Sequence, residues 1–167
     1  MNIFILGVSG SGKTPIAKLI SSKKNMNHIS ASEYFRKKFN KEFNDRNVFI
    51  KEITEFSKNE LSKDPYLNIK YLKERLDNCV IEGIRNPIDF SNLFNLKEDK
   101  VIFLNYKNNR LKKTNFENGL DIINNIIKWS IINNLMENKN FIYIEFECFF
   151  GKNSLEEKIK ELLNGTL

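Results

Sequence analysis

Residues 3–14 read I-F-I-L-G-V-S-G-S-G-K-T and decide the fold of this chain. The apolar run from Ile3 to Leu6 predicts a strand that is buried on both faces of a sheet. From Gly7 onward, the spacing is a glycine, four variable positions and then Gly-Lys-Thr, which is the P-loop template. After the loop, apolar side chains recur at helical spacing at Ile16, Leu19 and Ile20. The stretch therefore has the order of strand, glycine-rich turn and helix that this motif requires.

The glycine-rich turn is predicted to bind the phosphates of ATP. Glycines let the backbone form a concave nest of N–H donors, and the start of the following helix adds partial positive charge. Lys13 is expected to reach the β- and γ-phosphates, and the Thr14 hydroxyl to join the coordination shell of Mg²⁺. The residues predicted to bind ATP here are Gly7, Ser9, Gly10, Ser11, Gly12, Lys13 and Thr14. The alternative is a tight strand-to-helix turn that binds nothing.

Length and composition predict one soluble domain spanning residues 1–167. The net charge of +6 suits a polyanion such as a nucleotide, whereas most lysines are interpreted as solvated helix faces, so nucleic acid is not an expected partner. Cys79 and Cys148 lie in apolar runs and are expected to be buried, reduced thiols. No apolar run is long enough to span a membrane, and a cytoplasmic location is expected.

Apolar runs alternate with amphipathic segments, which predicts a parallel sheet covered by helices on both faces. The strands are predicted at Ile3–Leu6, Asn27–Ile29, Cys79–Glu82, Lys100–Leu104 and Phe141–Phe146. Residues 33–78 predict about three helices, divided near Asn44 and at Asp64-Pro65, with Asp64 as an N-cap. Further helix starts are predicted at Asn86-Pro87 and at Ser30 and Ser154, which open capping boxes. Another helix is predicted over residues 120–136. The expected fold is a three-layer α/β structure with five strands.

In such a sheet, ligands bind beyond the carboxyl ends of the strands. The segments that follow the predicted strands are residues 7–14, 30–36, 82–85, 105–113 and 151–153. Polar and charged side chains concentrate in these segments. Lys152, in the last of them, is predicted to belong to the ATP side of the site.

Two of these segments resemble the adenylate kinase family. Residues 28–36, H-I-S-A-S-E-Y-F-R, look like the stretch that begins the monophosphate-binding helix of adenylate kinases. Residues 80–90, V-I-E-G-I-R-N-P-I-D-F, are similar to the family's strand ending in D-G-x-P-R, and are nearer to the D-G-x-R form of related small kinases. Those relatives act on deoxynucleoside monophosphates or on dephospho-coenzyme A. The resemblance implies a P-loop kinase fold with an acceptor-binding region at residues 33–78 and a short lid at residues 105–119.

The resemblance also implies roles for individual residues. Ser32, Arg36 and Arg85 are expected to hold the phosphate of the acceptor, and Glu82 to organise Mg²⁺ through water together with Thr14. Lys13, Arg85 and Arg110 are expected to be the catalytic cations. Phosphoryl transfer needs alignment and positive charge rather than covalent chemistry from the protein, and arginine binds two phosphate oxygens at once.

The chain departs from the family at two places. Glu82 stands where aspartate is commoner, and the lid region offers only Arg110, with Lys112 and Lys113, where two or more arginines are usual.

Several of these residues have structural alternatives. Arg36 suits a solvated helix surface, and Arg85 suits an ion pair with Glu82. Three aromatic residues suit either base stacking or the core: Tyr34, Phe35 and Phe39. His28, the only histidine, is expected to be a satisfied core residue without a catalytic role.

The predicted function is transfer of the γ-phosphoryl group of ATP to a nucleoside or deoxynucleoside monophosphate. The alternatives are a nucleotide-binding switch or slow NTPase, and a kinase for another small acceptor such as dephospho-coenzyme A. A nucleic-acid-binding ATPase ranks last because the chain has no motif for nucleic-acid recognition.

Overall fold

A five-stranded parallel sheet with helices on both faces forms the centre of the protein in the computed structural model. The structure describes residues 1–8, 10–39, 46–106, 137, 139–148, 150–151 and 154–165. The strands are β1 (Ile3–Gly7), β2 (Asn27–Ser30), β3 (Cys79–Glu82), β4 (Lys100–Tyr106) and β5 (Phe141–Phe146). The helices are α1 (Lys13–Lys24), α2 (Glu33–Phe39), α3 (Arg46–Lys63), α4 (Leu67–Lys73), α5 (Pro87–Leu93) and α6 (Leu155–Gly165). The predicted α/β class and the five parallel strands are confirmed.

The strand order is β2-β3-β1-β4-β5, and each neighbouring pair is parallel. β1 is therefore the central strand, and its residues are buried. The register pairs Ile5 with Glu82 on β3 and Gly7 with Leu104 on β4. Because parallel strands end at the same edge, the segments that directly follow β1 and β3 lie on one side of the sheet.

Successive residues of β1 divide the core into two layers, as side chains in a strand point alternately to opposite faces. Phe4 and Leu6 pack in a cluster with residues of α4 and α5, including Leu72 and Phe90. Residues of α1 and α6 lie in the opposite cluster, which contains Ile3, Ile5, Ile16, Ile20 and Ile159. The sheet is thus the middle of three layers.

Two predicted helix starts are confirmed by side-chain caps. The carboxamide oxygen of Asn86 accepts a hydrogen bond from the backbone N–H of Ile88 at 2.9 Å, with Pro87 as the first residue of α5. The hydroxyl of Ser154 accepts one from the backbone N–H of Glu157 at 3.1 Å before α6. Both side chains satisfy donors that a helix leaves without partners in its first turn.

Two other predicted N-caps are wrong, although α2 begins at the first residue of the predicted helical region 33–78. Ser30 is the last residue of β2, where it pairs with Glu82, and α2 begins only at Glu33. Asp64 accepts a hydrogen bond from the backbone N–H of Tyr66 at 3.0 Å, which makes a local turn, and α4 begins at Leu67. In both cases the polar side chain stabilises the segment before the helix rather than its first turn.

Both cysteines are free, as predicted, but their environments differ. Cys79 is fully buried on β3, and burial raises the pKa of its thiol to about 11. Cys148 is only half-buried, so the expectation of burial is wrong for this residue, whose thiol donates to the carbonyl of Phe150 at 2.9 Å.

Several predictions concern residues outside the described ranges. They are Ser9, the turn near Asn44, lid residues 107–119 with Arg110, the helix at 120–136, and Lys152. The first two residues of the predicted lid, Asn105 and Tyr106, belong to β4, which is two residues longer than expected. Within the described part of the chain, no helix is both long and apolar enough to cross a bilayer.

Candidate functional site

The loop between β1 and α1 has a backbone that requires its glycines. Gly10 and Gly12 have φ angles of +79° and +77°, in the left-handed region that favours glycine. A Cβ atom on Gly7 would lie 2.6 Å from the hydroxyl of Ser11 and 2.7 Å from the carbonyl oxygen of Leu104 on β4. The backbone N–H of Ser11 donates to the carbonyl of Val8 at 3.1 Å, which closes the turn. The glycine spacing thus corresponds to a tight turn between the central strand and a helix start.

Lys13 is the first residue of α1 and is buried, with 9% of its surface exposed. Its ammonium group donates a hydrogen bond to the carbonyl of Val8 at 2.6 Å. Burial and then the positive charge of Arg85 lower the pKa of Lys13 to about 8, while the negative charge of Glu82 acts in the opposite direction. The loop therefore holds an ammonium group in an environment that penalises its charge.

Two hydroxyl groups accompany Lys13. The hydroxyl of Ser11 is buried and has no hydrogen-bond partner among the described residues. Thr14 is exposed in the first turn of α1. The site thus has one buried hydroxyl and one solvent-accessible hydroxyl next to the lysine in sequence.

Glu82 brings a buried carboxylate to the carboxyl end of β3, with 6% of its surface exposed. Among the described residues, the basic group that comes within 4.0 Å of it is His28, through Nε2 of the ring and Oε1 of Glu82. His28 is half-buried, and its Nε2 has no hydrogen-bond partner within the described ranges. The expectation of a satisfied core histidine is therefore wrong. Sequence alone gives no signal for this proximity, because it depends on the parallel register that pairs Ser30 with Glu82.

A backbone hydrogen bond joins the end of β2 to β3 on the predicted acceptor side, and two serine hydroxyls lie together beside it. The hydroxyls of Ser30 and Ser32 lie 3.1 Å apart, and the backbone N–H of Ala31 donates to the carbonyl of Glu82 at 2.8 Å. These contacts fix the start of the segment that leads into α2.

The two predicted acceptor arginines are exposed. Arg36 on α2 and Arg85 after β3 have no side-chain hydrogen bond or ion pair to any residue that the structure describes. Arg85 therefore does not form the suggested ion pair with Glu82. Its charge instead acts on Lys13, whose pKa it lowers. The charges of Arg85 and Glu82 thus both act on Lys13, whereas no contact among the described residues links Arg36 to this group.

The aromatic residues suggested for base stacking pack against each other. Phe35 is buried, and the ring of Tyr34 meets it edge to face at a centroid distance of 5.3 Å. Tyr34 also lies 5.1 Å from the ring of Tyr71, and Phe39 lies 5.2 Å from that of Phe56. These contacts favour the core interpretation for all three residues.

The residues that are present fit a Mg²⁺ ion that arrives with a nucleotide. Within the described ranges, no group of three or more histidine, cysteine, aspartate or glutamate side chains suits a metal ion. A magnesium ion bound to phosphates needs no such group, because it keeps several waters and takes one or two protein ligands. The Thr14 hydroxyl and the Glu82 carboxylate supply oxygen of the kind that Mg²⁺ prefers.

Comparisons with known proteins identify the fold. No family model and no curated protein sequence matches the chain. It is similar to the crystal structure of shikimate kinase from Aquifex aeolicus, with a TM-score of 0.57 and 20% identity over 98% of this chain and 95% of that one. For shikimate kinase from Bacteroides thetaiotaomicron, the TM-score is 0.52 at 19% identity, over 98% of this chain and 96% of that one. For shikimate kinase from Acinetobacter baumannii in complex with shikimate, the TM-score is 0.51 at 15% identity, over 98% of this chain and 90% of that one.

At these identities the similarity concerns the fold alone. The similarity extends over nearly the whole length of both compared chains, and it includes the five-stranded parallel sheet described above. The chain therefore has the P-loop α/β fold of these solved structures.

Proposed function

We propose that this protein is an ATP-dependent phosphotransferase that transfers the γ-phosphoryl group to a nucleoside or deoxynucleoside monophosphate. The observation that carries the proposal is the buried Lys13, at the base of a glycine-rich turn, within electrostatic reach of Arg85 and Glu82. A buried ammonium group without a bound anion is costly, and a polyphosphate would supply that anion.

On the donor side, the phosphates of ATP bind the backbone N–H groups of the turn, and Lys13 exchanges the Val8 carbonyl for phosphate oxygens. Ser9, Ser11 and Lys152 complete the ATP-binding residues of this proposal. Thr14 and Glu82 hold Mg²⁺, the latter through water. The metal neutralises charge on the phosphates when it is bound.

On the acceptor side, Arg36 and Arg85 bind the phosphate of the monophosphate with Ser32. Both guanidinium groups are free of protein partners in the described part of the chain, so they are available to an anionic ligand. A fork of N–H donors matches two phosphate oxygens. Arg85 lowers the pKa of Lys13 through its charge, and in this proposal it contacts both donor and acceptor. In this proposal Arg110 contributes a further cation from the lid.

A second acceptor class deserves a direct test because of the solved structures to which the fold is similar. Those proteins are named shikimate kinases, and one is in complex with shikimate. A carboxylate is also a planar anion that an arginine binds through two hydrogen bonds. The same arginines therefore suit a small hydroxylated carboxylic acid.

The test is a panel of acceptors incubated with ATP and Mg²⁺, with the phosphorylated product separated by anion-exchange chromatography. The panel contains ribo- and deoxynucleoside monophosphates, dephospho-coenzyme A and shikimate. We expect a nucleoside diphosphate to form with at least one monophosphate. Lys13→Ala should abolish this product, whereas Lys18→Ala, an exposed lysine on the same helix, should not.

Other results would change the assignment in defined ways. Phosphorylation of shikimate or dephospho-coenzyme A alone would replace the acceptor and keep the phosphotransferase. ADP release without any phosphorylated acceptor across the panel would instead support the switch or slow NTPase.

A further inference from the structure

A buried polar pair joins α4 to α5 and has no part in the site described above. Asn68 and Asp89 lie in the first turns of the two helices, with 6% and 5% of their surfaces exposed. The carboxamide nitrogen of Asn68 donates to Oδ2 of Asp89 at 3.0 Å. The remaining oxygen atoms, Oδ1 of Asn68 and Oδ1 of Asp89, are buried without a hydrogen-bond partner among the described residues.

The ionised form of Asp89 leaves this pair incompletely satisfied. Both unpaired atoms are then acceptors, so they cannot bond to each other. A proton on Oδ1 of Asp89 would turn that atom into a donor. Its acceptor would be Oδ1 of Asn68, which belongs to the amide group that already donates to Oδ2 of Asp89. A planar acid and a planar amide can form two such bonds side by side.

No cation compensates the carboxylate in the described part of the chain. Among the titratable groups of α4, Lys70 is exposed and bound to Asp64 at 2.6 Å, and Lys73 is exposed. The remaining titratable group of α4 is Tyr71. The guanidinium of Arg75, which follows α4, lies over the Tyr71 ring at 3.9 Å from its centroid. α5 carries no other titratable residue, and its Phe90 packs in the apolar cluster against Phe4.

We propose that Asn68 and Asp89 form a proton-dependent clamp, in which protonated Asp89 donates to the carbonyl oxygen of Asn68 and two hydrogen bonds hold α4 against α5. Burial raises the pKa of Asp89, and the hydrogen bond from Asn68 only partly opposes this effect. The folded state thus binds the proton more tightly than the unfolded chain. The clamp's contribution to stability is complete below the ordinary aspartate pKa and is lost as pH rises through the raised value.

The clamp lies next to a segment of the proposed site. α5 begins directly after Arg85 and Asn86, whereas α4 belongs to the region assigned to the acceptor. Resting on the proposed function, we infer that the clamp is a positioning device that holds Arg85 relative to that region. Loss of the proton should therefore raise the KM for the acceptor and leave kcat nearly unchanged.

The first test compares urea unfolding of the wild type and Asp89→Asn between pH 4 and pH 8. Asparagine can donate to Asn68 at every pH, so the variant should gain stability relative to the wild type as pH rises. The ratio of the unfolding equilibrium constants of the two proteins should change roughly tenfold for each unit by which the pKa of Asp89 in the folded state exceeds its pKa in the unfolded state. Glu98→Gln removes an exposed carboxylate and should show no such divergence. A variant that tracks the wild type at every pH would overturn the clamp.

A second measurement needs no folded variant. The ¹³C NMR resonance of the Asp89 carboxyl group in the wild type should titrate above the range of exposed aspartates; titration within or below that range would overturn the proposal.

A third measurement is a double-mutant cycle of Asn68→Ala and Asp89→Ala, in which the coupling free energy between the two side chains should be larger at pH 4.5 than at pH 7.5. The opposite order would indicate a single charge-assisted bond and contradict the clamp.

The positioning role has a separate readout. The ratio of the acceptor KM of the wild type to that of Asp89→Asn should rise with pH, because this ratio cancels the ionisation of the acceptor phosphate at about pH 6. Equal profiles in both proteins would overturn the positioning role. The stability and NMR results do not depend on any acceptor, so a failure of the proposed function would appear separately, as absence of a phosphorylated product.

Discussion

At the scale of single residues, the lowered pKa of Lys13 has a consequence for nucleotide binding. The ammonium group loses its proton near pH 8 when no ligand is bound, because burial and Arg85 disfavour its charge. A bound polyphosphate favours the charged form and raises the pKa again. Above about pH 8, binding should therefore take up a proton, and affinity for ATP should fall as pH rises.

Calorimetry in buffers of different ionisation enthalpy measures this uptake directly. We expect a proton uptake close to zero at pH 6.5 that increases through pH 9. Lys13→Ala should bind ATP more weakly and without the pH dependence. An unchanged proton uptake in that variant would assign the titration to another group.

Replacing Glu82 by glutamine should affect both the metal and the lysine. The amide keeps the shape of the side chain but loses the charge that orders the waters of the metal, so the requirement for Mg²⁺ should rise. Glu82 also raises the pKa of Lys13, so the alkaline limb of the activity profile should move to lower pH. Activity measured across Mg²⁺ concentration and pH tests both effects, with Glu98→Gln as the control. Full activity at every Mg²⁺ concentration would make Glu82 a structural residue.

Arg36→Ala and Arg85→Ala should each raise the KM for the acceptor. The loss of one charge-assisted contact is worth about 1.5 to 3 kcal/mol, or roughly ten- to a hundredfold in KM. Affinity for ATP should change little in Arg36→Ala, and Lys97→Ala provides an exposed cation as a control. Under the proposed function, Arg110 would contact the phosphoryl group mainly in the transition state, so Arg110→Ala should lower kcat more than it alters KM. Steady-state kinetics with the acceptor varied separates these outcomes, and an unchanged acceptor KM in both Arg36→Ala and Arg85→Ala would contradict their role.

At the scale of elements, the junction of β1 and α1 depends on the absence of a side chain at Gly7. A methyl group there would press on the backbone carbonyl of Leu104 at 2.7 Å, which belongs to the paired strand β4. Gly7→Ala should therefore destabilise the protein by about 1 to 3 kcal/mol and distort the phosphate-binding turn. Gly165→Ala is the matched control, because nothing lies within 4 Å of the added atom. Urea unfolding and ATP titration of both variants measure the difference, and equal stability would show that the junction can relax.

Local sequence signals predicted some element boundaries and failed at others for a physical reason. Asn86 and Ser154 cap the helices they were expected to cap, since each side chain reaches an N–H two or three residues ahead. Ser30 has the same local pattern, but pairing of its backbone with Glu82 extends β2 past the predicted boundary. A strand partner from a distant part of the chain thus overrode a local preference.

At the scale of the whole molecule, strand order separates what sequence predicts from what it does not. Alternation of apolar runs and helices predicts a parallel sheet, and the P-loop places its ligand at the carboxyl ends of the strands. The order β2-β3-β1-β4-β5 is a long-range property. It brings Glu82 towards His28 and Arg85 towards Lys13, pairs that are more than fifty residues apart. The residue types of the candidate site and the edge of the sheet at which they lie were therefore predictable, whereas the particular pairs of side chains that approach each other were not.

The crowding of positive groups around Lys13 has a consequence for the sequence of binding events. Without nucleotide, the positive charges of Lys13 and Arg85 repel each other. The negative charge of Glu82 partly offsets this repulsion, because it raises the pKa of Lys13. A free divalent cation would approach two positive side chains, which Coulomb repulsion disfavours. We expect magnesium to enter as its complex with ATP, so equilibrium dialysis should find no tight Mg²⁺ site in the protein alone and tight retention once the polyphosphate is present. In that case the site would bind the anion together with its metal, and metal occupancy would report nucleotide occupancy.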